Sequence, residues 1–152
     1  MKFLDSMIAK FDFLSRLSCS NEELQKRDKE FRSEVTLYNN LNTKAVYEAY
    51  DSIDTKATAV LQHVSIMIAV SGVLYSQAAS KIFQMLFIGE MLLYIVLALF
   101  CLRLLMPQHV SPSYSETQNV VAKESVLDLT AKLTFLISVA LILTVIAEVA
   151  AK

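Results

Sequence analysis

Apolar residues recur every three to four positions along almost the whole chain, and in three stretches the polar positions between them nearly vanish. The spacing keeps one side of a helix apolar, and a helix that is apolar all round belongs in a membrane or a large core. Met1 to Leu17 places Phe3, Leu4, Met7, Ile8, Phe11, Leu14 and Leu17 on one side and charges on the other. It predicts an amphipathic helix, either packed on the rest of the protein or lying in the membrane interface. Ser20-Asn21-Glu22-Glu23 has the capping-box pattern and opens a second helix. That helix is charged through Glu34, with a thin stripe of Leu24, Phe31, Val35 and Tyr38, and Asn39, Asn40 and Asn42 break it.

A third helix is expected from about Thr43 to Ser76. Its polar part carries Val46, Tyr50 and Ile53 on one stripe, and the uncharged run from Ala57 to Tyr75 covers roughly 30 Å at about 1.5 Å per residue. A tight turn over Gln77 to Ser80 leads to a second span closed by Arg103 and Pro107. A polar linker, Gln108 to Ser113, follows, and a second capping box at Ser115–Gln118 starts a fifth helix that continues into a third span. The fold class is therefore all-α: an integral membrane helical bundle with spans at about 57–76, 82–106 and 131–150. Residues 1–42 read as N-terminal cytosolic or interfacial helices, and 43–152 as the three-span domain.

The first span is the unusual one. Thr55, Thr58, Gln62, Ser65, Ala69, Gly72 and Ser76 alternate at three- and four-residue spacing, which draws one narrow seam of small and polar side chains along a helix. Small residues let helix backbones approach, and hydroxyls or amides bond across the contact, so the seam predicts helix packing within one chain or between chains.

Composition agrees with this class. The chain has 152 residues, 55% of them hydrophobic, a net charge of −1 and two glycines and two prolines; mean hydropathy is +0.46. No global basic field points to nucleic acid. Cys19 and Cys101 lie in segments of opposite character, with no ligand-spaced His, so neither a disulfide nor a metal site is expected. The apolar N-terminal residues are interrupted by Asp5, Lys10, Asp12 and Arg16, unlike a cleavable signal. Of the fourteen Lys and Arg, all but Lys81 and Lys152 fall on one side of the three spans. The positive-inside rule makes that side cytoplasmic, with the N-terminus in and the C-terminus out of the inner membrane.

Glu90 is the sharpest single residue. It lies roughly 20 Å inward from Arg103 at about 1.5 Å per residue, where a carboxylate is costly unless protonated, paired or facing water. Ser71 and Thr144 come level with it as hydrogen-bond partners within one protomer; alternatively several Glu90 side chains ring a water-filled centre. Tyr94, one turn inward, comes level with Ser65, where it either packs or bonds across spans one and two. Gln62 is on the seam, and His63, one position off it, reads as a satisfied structural group. Glu148 reads as an exposed carboxylate near the outer interface. Lys26, Arg27, Lys29 and Arg32 on the charged helix are candidate contacts for a partner or a small anion, beside ordinary pairs such as Glu22–Lys26 and Glu23–Arg27. No Gly-rich phosphate loop, HExxH or Ser/His/Asp set is present, so neither an enzyme nor a cofactor is expected.

Asp54-Thr55-Lys56-Ala57 runs straight into the first span, a short turn joins it to the second, and the second ends at Pro107. This arrangement, over about Tyr47 to Gln108 with a weaker echo in the third span, resembles the transmembrane effectors of bacterial cyclic-nucleotide antiphage systems, the Pycsar membrane effector family (PycTM). The family's Pro-Arg after the second helix is Pro107-Gln108 here. The resemblance implies a protein activated during infection, under a cyclic-nucleotide signal, that impairs the inner membrane. The expected function is an oligomeric inner-membrane effector that perturbs or permeabilises the membrane, with membrane lipids and further copies of itself as partners. The alternative is a non-conducting accessory subunit that anchors a cytosolic partner enzyme through its N-terminal region.

Overall fold

The computed structural model describes residues 20–37, 42–106 and 115–151, with the side chains of 34–37 and 42–43 left aside. Among them the chain forms four helices and no strand: α1 (Asn21–Leu37), α2 (Asn42–Gln77), α3 (Lys81–Leu105) and α4 (Glu116–Ala150). α2, α3 and α4 are each long and apolar enough to cross a membrane. The protein is a multi-pass membrane protein built as a helical bundle. The expected amphipathic helix over Met1–Leu17 and the Gln108–Ser113 linker lie outside the described residues.

Local chemistry sets the helix ends. Ser20 Oγ accepts from the Glu23 backbone N–H at 3.3 Å, giving α1 its cap. Ahead of α4 the capping box is reciprocal: Gln118 N–H donates to Ser115 Oγ at 3.3 Å, and Ser115 N–H to Gln118 Oε1 at 3.1 Å. Ser80 caps α3 through the Ile82 N–H at 3.1 Å, and Gln84 donates its side-chain amide to the Ala78 carbonyl at 3.3 Å, so the α2–α3 turn is tied from both sides. The charged helix ends at Leu37, ahead of Asn39, Asn40 and Asn42, and α2 begins at Asn42, one residue before the expected start.

The chain divides into two compact units: one drawn from Met1–Lys56 and Met106–Leu129, the other from Ala57–Leu105 and Thr130–Lys152. In the first unit Leu24, Val46, Ile53, Val120, Val121 and Leu127 are buried, together with Asp28, Asn119, Lys123 and Ser125. Arg32 bonds Asp28 one turn back at 3.1 Å and reaches Ser115 Oγ at 3.0 Å and Thr117 Oγ1 at 3.2 Å, which joins α1 to the start of α4. The Lys123 ammonium donates to the Met106 carbonyl just beyond α3 at 2.9 Å and sits 5.3 Å from the Tyr50 ring centre.

The second unit is the membrane-spanning bundle. Val64, Ala78, Phe87, Tyr94, Leu97, Ile137 and Leu141 form its core, with Val60, Met67, Leu74, Phe83 and Val145 packed against them.

Candidate functional site

The buried positions of α2 are Val46, Ile53, Ala57, Val64 and Ser71, with Tyr50, Val60 and Leu74 half-buried between them. They continue the Val46–Tyr50–Ile53 stripe without a break. At about 100° per residue this stripe lies nearly opposite the seam. Thr55, Thr58, Gln62, Ser65, Ala69 and Ser76 are exposed and Gly72 is half-exposed. Ser65 donates back to the Leu61 carbonyl of its own helix at 2.8 Å, and Ser76 to Val73 at 2.7 Å. Of the two contacts allowed for the seam, the one within a single chain is therefore not made among the described residues. α2 packs its own bundle with the opposite face, because that face carries the bulk that fills space against Phe87, Tyr94 and Leu97.

The other two spans serve as an internal control. Over 82–102 of α3 and 133–150 of α4, the exposed residues are Ile, Leu, Val, Met, Phe, Ala and Gly, with no hydroxyl, amide or charge among them. Over 57–76 of α2 the exposed set includes Thr58, Gln62, His63, Ser65 and Ser76, flanked by Ile66, Val70 and Val73. Two spans turn a lipid-like face outward. The third does not.

Inside the bundle the polar groups meet on α4. Glu90 is 8% exposed and Ser71 0%. Thr144 Oγ1 lies 2.8 Å from Glu90 Oε1, so Thr144, one of the two partners expected for this carboxyl, is the one the fold supplies. Ser71 Oγ and Glu90 Oε2 are both buried with no hydrogen-bond partner among the described residues. Glu90 thus faces into its own protomer, and the ring of Glu90 side chains about a shared centre is not what this placement builds. Tyr94 is fully buried, and its hydroxyl pairs at 3.0 Å with Ser138 Oγ rather than with Ser65. His63 Nε2 lies 3.1 Å from the same oxygen, so it is a satisfied group, as expected of a lone His near the inner end of a span. Ser138 also donates to the Thr134 carbonyl at 2.8 Å.

Ser138 was the residue the sequence reading missed. Its signal was present: Thr130, Thr134 and Ser138 recur at four-residue spacing in an apolar helix, which puts three hydroxyls on one face. Glu148 needs a correction as well. It is 6% exposed, and its carboxylate accepts from the Ala79 N–H at 3.2 Å, so it secures the α2–α3 turn instead of facing outward. A carboxylate at this end of the bundle finds the free N–H groups of a tight turn, which repays its burial.

The basic residues of α1 do not converge on one point. Arg27 pairs with Glu23 at 2.8 Å, Arg32 is held by Asp28, Ser115 and Thr117, and Lys26 and Lys29 stand exposed. Among the described residues no group of three or more His, Cys, Asp or Glu is placed to hold a metal ion. No family model, curated protein or solved structure matches the chain.

Proposed function

We propose that the protein is an oligomeric inner-membrane effector that perturbs or permeabilises the membrane, with its N-terminus cytoplasmic, in the manner of the antiphage effectors its Asp54–Ala57 and Pro107 pattern resembles. The supporting observation is the outward polar face of α2 beside the uniformly apolar outward faces of α3 and α4. Hydrocarbon offers Gln62 and Thr58 no partner, whereas another copy or enclosed water does. One protomer has too few spans to enclose a channel, so several copies gather with α2 inward, as closed symmetry allows.

The accessory-subunit reading draws on a different observation, the exposed charged face of α1 with Glu22, Glu23, Lys26, Lys29 and Glu30. Expression without other genes of its locus separates the two. An effector collapses the membrane potential reported by a voltage-sensitive dye and arrests growth, and its detergent-extracted mass is a multiple of the chain. A silent strict monomer sinks the effector reading.

A further inference from the structure

When the Glu90 carboxyl is ionised, the Thr144 hydroxyl has two acceptors and one proton. Thr144 Oγ1 is 2.8 Å from Glu90 Oε1 and 3.0 Å from the Ala140 carbonyl, yet a threonine hydroxyl carries a single proton. The other hydroxyls on this face of α4 spend theirs on the carbonyl four residues back: Thr134 on Thr130 at 2.8 Å, Ser138 on Thr134 at 2.8 Å. If Thr144 does the same toward Ala140, the short contact to Oε1 is made only by a proton that belongs to Glu90.

Two further oxygens point to this level. Ser71 Oγ and Glu90 Oε2 are the buried side-chain atoms left without a partner among the described residues. His63 meets Ser138 75 positions along the chain, and Ala79 meets Glu148 69 positions along. These registers bracket Ser71 between residues 140 and 146 of α4, the level of Thr144 and hence of Glu90. No salt bridge among the described residues reaches Glu90. A hard metal ion asks for about six oxygens or more, and this level supplies one carboxyl and two hydroxyls beside carbonyls committed to helix ladders. A buried water needs two to four polar partners, which the two unpartnered oxygens begin to supply.

We propose that Glu90, Thr144 and Ser71 form a proton-binding site inside the membrane-spanning unit. The carboxyl donates from Oε1 to Thr144, and Oε2 shares one water with Ser71. The other titratable groups buried in this unit are Tyr94 and Cys101 on α3 and Glu148 on α4, with Tyr94 bonded to Ser138 and Glu148 to Ala79, while His63 on α2 reaches Ser138 from an exposed position. The site stands on this unit alone and survives failure of the effector reading.

Infrared spectroscopy of the whole protein in lipid vesicles at neutral pH tests it. The carbonyl stretch of a protonated acid is expected in the wild type, lost in Glu90→Gln and kept in Glu148→Gln. Thr144→Val and Ser71→Ala each move it to higher frequency by removing one hydrogen bond from the carboxyl. Absence of any acid band that Glu90→Gln removes overturns the proton site. A band unmoved by Thr144→Val overturns the donor direction, and one unmoved by Ser71→Ala overturns the shared water.

Discussion

Replacing Ser65 and Gly72 together by leucine gives opposite results for the protomer and for the assembly. Within the protomer both positions look outward, and a Cβ added at Gly72 meets nothing within 4 Å. Leucine at a helix-interior glycine gains about 0.5–1 kcal/mol of helix propensity, so the single-chain fold is expected unchanged or slightly stabilised. Between copies the same side chains enter a contact shaped for small residues. Overpacking costs about 1–3 kcal/mol, equivalent to roughly a 5- to 150-fold weaker association at about 1.4 kcal/mol per tenfold. Val64→Ala on the opposite, fully buried face of α2 is the mirror control, expected to lower protomer stability by about 2 kcal/mol and leave association near wild type. Denaturant titration in mixed micelles reads the first quantity, and subunit counting by photobleaching in vesicles reads the second. A double leucine variant that assembles like wild type refutes the outward seam as a contact. One that loses protomer stability by more than about 1 kcal/mol refutes its exposure in the fold.

Two other substitutions probe the interior. Tyr94→Phe removes only the hydroxyl that pairs with Ser138 at 3.0 Å and keeps the buried ring. Its expected cost is about 0.6 kcal/mol and no more than about 1.7, the range of hydrogen bonds between membrane helices, while Tyr94→Ala costs about 3–5; equal losses for the two variants, measured by unfolding in micelles, would contradict this division. Lys123→Met strips the cation from the Met106 carbonyl and the Tyr50 ring, so the first unit is expected to open more readily and residues 119–127 to exchange their amide hydrogens faster than in wild type. Unchanged exchange over 119–127 would remove Lys123 from any role in holding that unit together.

Much of this protein is legible locally. Ser20–Glu23 and Ser115–Gln118 announce helix starts because a cap is made by residues three apart, and both caps form. The second span, expected over 82–106, is α3 at Lys81–Leu105, and the third ends with α4 at Ala150. Glu90 and Thr144 were matched by counting depth along two helices, which needs only a constant rise per residue. Ser138 was missed because its partners, Tyr94 and His63, come from two other helices that share no local pattern with it. Glu148 was misjudged because its partner is a backbone N–H in a turn 69 residues away, and any residue there supplies one.

The sequence by itself determined the number, extent and apolar character of the membrane-crossing helices, since each follows from residues adjacent in the chain. It also drew two stripes on α2, one from Val46 through Ile53 to Val64 and one from Thr55 to Ser76. Only the tertiary structure decided which of them turns inward. In water the apolar face would be buried by the solvent's preference, but lipid is as apolar as a protein core and expresses no such preference. Inside a membrane the choice falls to shape, and the shape here was set by Phe87, Tyr94 and Leu97 on one neighbouring helix and by Ile137 and Leu141 on the other.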